Sequence, residues 1–217
     1  PRVPLQYRGI SLLSTLGKLY TSVLNNRLMQ FCEQNKILVE EQNGFRKGRS
    51  CEEHIFSLSS ILRNRIYCGE HTFAAFIDME KAFDKVDRNL LLLKLLDIGI
   101  GGKLFHAIDA LCNKSSYSVK VNDHLTHWFN ADLGVRQGDC ISPSLFAIFI
   151  NDLAIDIKNM SCGVDYGNLN VSILLYADDI VLLSENEHDL QKMLDFVSTW
   201  CKRWRLKCSN TKSQVVH

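Results

Sequence analysis

Asp78 and the adjacent pair Asp178-Asp179 are the residues of this chain whose type and setting could do chemistry. The pair interrupts the most apolar run in the protein, with Val171-Ser172-Ile173-Leu174-Leu175 before it and Ile180-Val181-Leu182-Leu183 after it. Two β-rich runs around a short polar break predict a tight hairpin with the acids at its tip. An ordinary hairpin turn would carry Asn-Gly or Asp-Gly there. Adjacent carboxylates repel and raise each other's pKa unless a cation joins them. The plain alternative is a solvated turn. About 100 residues earlier, Thr72-Phe73-Ala74-Ala75-Phe76-Ile77-Asp78 reads as a buried strand that also ends on an acid. If the strands are neighbours, three carboxylates meet at one sheet edge. Oxygen donors without His or Cys select a hard cation, Mg²⁺ or Mn²⁺. Two such ions ~4 Å apart can activate an attacking 3′-hydroxyl and stabilise a leaving pyrophosphate, which is nucleotidyl transfer.

The elements around these acids can be read from periodicity. Apolar residues at helical spacing over residues 14–31 (Leu16, Leu19, Tyr20, Val23, Leu24, Leu28, Phe31) predict a helix. The loop Gln42-Asn43-Gly44-Phe45-Arg46-Lys47-Gly48-Arg49 follows, and its three cations could hold an anion such as a triphosphate or serve only as exposed charge. Ser50 with Glu53 forms a capping box for a second helix, with Ile55, Leu58, Ile61, Leu62 and Ile66 on its inner face. After the first acid, a Leu-rich helix over 88–98 stops at Gly99, and another over about 103–112 leads to a hairpin turning at Asn122-Asp123. Ser142-Pro143 caps and starts a long apolar helix. Ser184 and Glu187 offer a capping box for a helix through Trp204, and residues 206–216 read as strand, turn and strand. Strands interleaved with helices give a mixed α+β sheet with helices on one face.

Length and composition are those of an ordinary globular domain or two packed lobes, at 217 residues with 46% apolar and 23% charged. No apolar run approaches the roughly 20 residues of a membrane span. A start at Pro1 and an end straight after an apparent strand look like a piece of a longer polypeptide. The eight cysteines are scattered without a C-x-x-C or a Cys/His knuckle, which argues for reduced thiols in an intracellular setting, nucleus or cytoplasm. Charge is segregated. Residues 1–70 carry 10 Lys/Arg against 6 Asp/Glu and residues 192–217 carry 6 against 1, while the middle holds 9 against 17. An acidic centre between basic ends fits metal-binding acids flanked by phosphate-contacting arms, or helix faces that differ in sign.

Three ordered stretches make the pattern specific: Phe76-Ile77-Asp78-Met79-Glu80-Lys81-Ala82-Phe83-Asp84, then Gly134-Val135-Arg136-Gln137-Gly138-Asp139 with Ser142-Pro143, then Tyr176-Ala177-Asp178-Asp179. Together they resemble the reverse transcriptase domain of non-LTR (LINE-like) retrotransposons. Residues 7–12 and 42–50 are similar to two further motifs of that family, so the likeness runs over nearly the whole chain. It implies an α+β right-hand polymerase lacking its thumb, with fingers at about 1–70 and 88–132 and palm at about 71–87 and 133–217. It implies Asp78 and Asp178 as ligands of two Mg²⁺ ions (Mn²⁺ as substitute), with Asp179 as a charge partner in the same metal site. Phe83 would stack under the incoming sugar and clash with a 2′-hydroxyl. The backbone amides of Met79 to Phe83, Ala82 among them, would wrap the triphosphate. Arg46 would pair with its phosphates, Arg8 or Arg49 assisting, and Gln137 would contact the nucleotide and templating pair. Lys212 would give a proton to the leaving pyrophosphate. Ser209 stands where many relatives carry Asn, and Gly9 where Pro is frequent.

The implied substrates are dNTPs, and the partners are an RNA template and a DNA primer held through their backbones. Two other readings stand beside it. One is the palm of an RNA-dependent RNA polymerase, against which Phe83 and Ala177 argue. The other is an inactive or domesticated fragment that binds nucleic acid without catalysis.

Overall fold

The computed structural model describes residues 9–217. In chain order the elements are α1 (Thr15–Gln34), α2 (Cys51–Cys68), β1 (Phe73–Ile77), α3 (Ala82–Lys85), α4 (Arg88–Asp97) and α5 (Gly102–Asn113). Four two-residue strands follow, β2 (Ser116–Tyr117), β3 (Lys120–Val121), β4 (His124–Leu125) and β5 (Phe129–Asn130), and then α6 (Ser142–Asn159). The chain closes with β6 (Val164–Tyr166), β7 (Leu169–Val171), β8 (Ile173–Tyr176), β9 (Asp179–Ser184), α7 (Glu187–Arg203) and β10 (Gln214–Val216).

The central sheet has the order β10-β1-β9-β8, all antiparallel. Its two faces follow the two-residue period of the strands. Ala75 and Ile77 of β1, with Ile180 and Leu182 of β9, point into the main core beneath α6 and α7. Helix α6 is buried nearly all round: Phe146, Phe149, Ile150, Leu153, Ala154 and Ile157 are fully enclosed. The alternate residues Ala74 and Leu183 face the other way, into a smaller cluster closed by Ile61 of α2 and Val164 of the β6–β7 hairpin. That second cluster covers only the end of the sheet remote from the acids.

Several expected elements sit where periodicity put them, with differences at their ends. Ser50 and Glu53 form the capping box of α2. The inner face of α2 is completed by Arg65, while Ile55 and Ile66 are exposed. Arg65 is worth burying because its guanidinium reaches the His71 carbonyl, Thr72 Oγ1 and the Glu70 and Glu185 carboxylates, fastening the helix end to the sheet. Helix α1 buries Leu24, Leu28 and Cys32 but leaves Leu16, Leu19, Tyr20 and Val23 exposed. At α6 the cap position is Ile141, without a side-chain cap. At α7 the cap is Asn186, whose side chain accepts from the Asp189 N–H, because β9 runs on through Ser184.

Lys94 is a buried cation inside this helical layer. Its ammonium lies 2.6 Å from Asp152 Oδ1 and 3.6 Å from the centre of the Trp204 ring, with Phe149 and Trp200 on its other sides. Burial lowers its pKa from 10.5 to about 8, against the pull of Asp152. The unfolded chain therefore keeps this proton longer than the folded one, so stability rises as pH climbs from about 8 to 10.5. Thermal melts at pH 7.5 and 10 should show wild type gaining on the order of 5 °C relative to Lys94→Met over that interval. Parallel curves for the two proteins would rule the linkage out.

Candidate active site

Asp78 is placed by strand register. β1 and β9 pair from Phe73 opposite Ser184 to Ile77 opposite Ile180. Asp78 directly follows this last pair on β1 and Asp179 directly precedes it on β9, so the register, continued one step, would put the two acids on one face. That face is the one α6 and α7 leave uncovered. The backbone of Asp78 is clamped on its other side: its carbonyl accepts from the Ser209 N–H at 2.8 Å, and its N–H donates to Ser213 Oγ at 3.3 Å. This returning segment carries Lys212, whose Nζ stands 3.4 Å from Asp78 Oδ2. A second acid nearby, Glu80, is held below the usual carboxylate range by hydrogen bonds from Lys207 and Lys85.

The second acid position is a two-residue hairpin loop. Tyr176 pairs with Asp179, leaving Ala177 and Asp178 as its central residues. Ala177 has φ 60°, and it alone of the two is left-handed, as a type II′ turn requires of its first central residue. Glycine is usual there; an L-alanine costs roughly 1–2 kcal/mol. Flanking strands packed into the core hold that strain in place.

The loop before α2 forms one wall of this region. Phe45, half exposed with φ 59°, lies between Phe83, 6.4 Å away edge-on, and Tyr176, 6.4 Å away. Phe83 is partly buried and stacks on the fully buried Phe146 at 4.7 Å. Arg46 departs from the expectation of a phosphate-facing cation. Its guanidinium is buried, bonded to both carboxylate oxygens of Glu33 at 2.9 Å and to the carbonyls of Val39 and Gln42. Four of its five N–H donors are spent on Glu33 of α1 and these two carbonyls. Arg49 pairs with Glu40. Arg8 lies outside the described residues.

Another wall is the loop after β5. Gly134 packs so tightly on the 83–87 segment that a Cβ there would stand 2.8 Å from the Asp84 carbonyl oxygen, at a φ of 83°. The Gly134 N–H donates to Val86 and the Val135 N–H to Phe83. Gln137 Nε2 donates to Asp84 Oδ1 at 2.8 Å, which ties this loop to the segment after Asp78. Within that segment Met79 is buried and bridged to Cys208, and the Glu80 N–H is taken by the Lys207 carbonyl. Ala82 and Phe83 open α3, where amides have no partner within a helix.

The donor chemistry of Asp78, Asp178 and Asp179 fits a hard divalent cation: carboxylate oxygens, partly or fully exposed, with a lysine ammonium already drawn to Asp78. Among the described residues no three His, Cys, Asp or Glu side chains are gathered into a metal centre. Asp78 and Asp179 adjoin at one end of the sheet, whereas Asp178 occupies the turn itself.

Sequence comparison places this geometry. The family described as reverse transcriptase (RNA-dependent DNA polymerase) matches residues 3–217, and the chain belongs to that family. Among curated relatives, a probable RNA-directed DNA polymerase from transposon BS of Drosophila melanogaster is 31% identical over 97% of this chain and 23% of its own length. The RNA-directed DNA polymerase from mobile element jockey of Drosophila funebris is 27% identical over 94% of this chain and 23% of its own length. The chain thus spans about a quarter of these relatives, which are non-LTR retrotransposon polymerases, as the motifs led one to expect. Among solved structures, telomerase from Candida albicans superposes with a TM-score of 0.69 at 13% identity, over 93% of this chain and 35% of that one. Apo telomerase from Candida tropicalis gives 0.68 at 13%, over 92% and 40%. The fold is the α+β fingers and palm of a polymerase, and divalent metal ions serve this family in general.

Sequence reasoning missed Phe45 and Gln42 as individual residues, seeing only the cations of their loop. The one available signal was an aromatic side chain flanked by glycine and arginine in a loop that otherwise exposes charge. At Gly134, alanine meets both a backbone clash and a left-handed φ. Gly134→Ala should lose roughly 1–3 kcal/mol of stability, read as a lower urea midpoint. An unchanged midpoint would mean that the loop is not held against Asp84.

Proposed function

We propose that this chain forms the fingers and palm of an RNA-directed DNA polymerase that adds dNTPs to the 3′-hydroxyl of a primer on an RNA template. What supports the reading is the β1–β9 register, whose last pair, Ile77 with Ile180, leaves Asp78 and Asp179 adjoining at one end of the sheet, beside the strained turn of Asp178. In this reading the fingers are about 1–70 and 88–132, and the palm about 71–87 and 133–217. Asp78 and Asp178 would hold two Mg²⁺ ions, or Mn²⁺, with Asp179 completing the negative field; when bound, such ions lower the pKa of the attacking hydroxyl and neutralise the leaving pyrophosphate.

The chain's own residues do the rest. Phe83, backed by Phe146, would clash with a 2′-hydroxyl and so select dNTP over rNTP. Ala82 and Phe83 turn backbone amides toward the triphosphate. Gln137, oriented by Asp84, meets the nucleotide and the templating pair. Lys212 carries an ammonium proton within reach of Asp78 and donates it to the departing pyrophosphate. Arg46 contributes by fixing its loop through Glu33, and Arg8 or Arg49 would assist at the phosphates, Arg49 by exchanging its Glu40 partner for them. The RNA template and DNA primer are held chiefly through their phosphates, since a polymerase accepts any sequence. Among the described residues no helix is long and apolar enough to cross a membrane. An intracellular site of action, nuclear or cytoplasmic, suits eight cysteines that are all free.

Primer extension on a homopolymer RNA template tests the reading. Asp178→Asn should fold with an unchanged or higher melting temperature and incorporate dTTP at background level; extension at the wild-type rate would overturn the metal assignment. In the same assay Phe83→Ala should narrow the preference for dTTP over UTP by roughly tenfold or more, and an unchanged ratio would remove Phe83 from the sugar site.

A further inference from the structure

The turn that carries Asp178 is gripped from outside the sheet. Leu175 is on β8, whose outer edge no other strand of the sheet covers. Its N–H donates to the Glu41 carbonyl at 2.9 Å, and its carbonyl accepts from the Asn43 N–H at 3.0 Å, so Gln42 forms a one-residue parallel bridge along that edge. The His54 ring nitrogen Nε2 lies 2.9 Å from the same Leu175 carbonyl. From this bridge the Gln42 side chain, wholly buried, reaches the turn. Its Oε1 accepts from the Gly44 N–H at 2.8 Å and from the Ala177 N–H at 3.2 Å. Gly44 lies so close that a Cβ on it would stand 2.3 Å from the Ala177 nitrogen.

We infer that Gln42 is a positioning residue for the acidic turn: one uncharged oxygen that ties the left-handed Ala177 to the loop before α2 and thereby fixes where Asp178 stands. This deepens the polymerase reading and rests on it. Two observations and two comparisons select glutamine. The oxygen serves two backbone amides that would otherwise be buried without an acceptor. The Nε2 of the same amide is buried and makes no hydrogen bond among the described residues, so the side chain is kept for its oxygen. Glutamate would supply the same oxygen, but with a negative charge beside Asp178 and Asp179, where like charges already repel. Methionine would fill the volume and supply no comparable acceptor. The same loop continues into Phe45, which touches Phe83 and Tyr176, so the aromatic wall and the acidic turn are set by one short stretch of backbone.

The test uses the whole chain, with Gln42→Met and Gln42→Glu. Amide hydrogen exchange at Ala177 in the metal-free protein reads the clamp directly, Mn²⁺ titration reads the acids, and primer extension separates kcat from KM. Gln42→Met should exchange the Ala177 amide about tenfold faster or more while the remaining core amides keep their protection. Its Mn²⁺ midpoint should rise about tenfold, and kcat should fall by a similar factor with the dNTP KM within about threefold of wild type. Gln42→Glu should keep Ala177 protected and shift the Mn²⁺ midpoint to lower concentration, since it preserves the acceptor and adds charge.

Wild-type exchange at Ala177 in Gln42→Met overturns the proposal, and so does faster exchange with Mn²⁺ binding and kcat unchanged. If Gln42→Met does not fold, Gln42→Glu decides: loss of Ala177 protection there overturns the role of the oxygen. Failure of the polymerase reading looks different. Wild type would then neither bind Mn²⁺ nor extend a primer, and an intact Ala177 response would leave Gln42 as a structural clamp with no catalytic site to position, which also overturns the inference.

Discussion

The antiparallel pairing of β1 with β9 is the constraint on which the rest depends. Five residue pairs, from Phe73–Ser184 to Ile77–Ile180, fix the register. A slip by one residue would turn Ile77, Ile180 and Leu182 out of the core, and would move Asp78 away from Asp179. Hydrophobic burial therefore sets the position of the acids: the aliphatic residues under α6 and α7 admit one alignment, and that alignment leaves Asp78 and Asp179 adjoining at one end of the sheet. The lysine-bearing segment 207–213 closes on the other side of β1 through the Met79–Cys208 bridge and the Ser209–Asp78 hydrogen bond. Acid and ammonium thus approach from the end of β1 and from the turn that leads into the neighbouring β10.

The two faces of the sheet are treated differently along its length. Near Ala74 and Leu183 both faces are covered, one by α6 and α7 and the other by α2 and the β6–β7 hairpin. Toward Asp78 the second cover stops, and Phe76 and Asp179 are exposed. A sheet rigid at one end and open at the other can present charge without flexing. The lysines around the open end do not neutralise it at random. Lys85 and Lys207 are both taken by Glu80, whereas Lys212 reaches Asp78. Glu80 thereby keeps two cations occupied beside the acids that the polymerase reading needs for metal.

Much of this was legible in the sequence because it rests on short-range patterns. The short apolar, β-rich runs in residues 72–78 and 171–184, the capping box at Ser50 and Glu53, and the Pro143 start of α6 are local signals, and local backbone chemistry decides them. What was not legible depends on partners distant in sequence. Arg46 looks like an exposed cation until α1 brings Glu33 beside it, and no spacing rule links residues 33 and 46. Ser184 with Glu187 and Asn186 with Asp189 are equivalent cap patterns; the strand's need to continue through Ser184 chose between them. The β6–β7 hairpin was missed although Gly167-Asn168 between its strands is a recognised turn signal, because strands of three residues barely register as periodic.

Backbone strain marks the site independently of charge. Among the described residues seven other than glycine have positive φ. Lys36, Ser161 and Arg205 follow the ends of helices, and Asn122 turns a hairpin, where such angles are ordinary. The other three are Phe45, Lys81 and Ala177, none of them a residue that favours this region, and they lie on three separate loops around the acids. Each costs of order 1–3 kcal/mol and persists only where surrounding structure over-determines it. Phe45 and Ala177 are joined through Gly44 and the Gln42 oxygen, and Lys81 opens the short helix that carries Phe83. A stable core below and three strained loops above are what a site needs when its geometry must be set before any substrate arrives. The core supplies the stability, and the strain sits in the loops that the polymerase reading puts around its metal site.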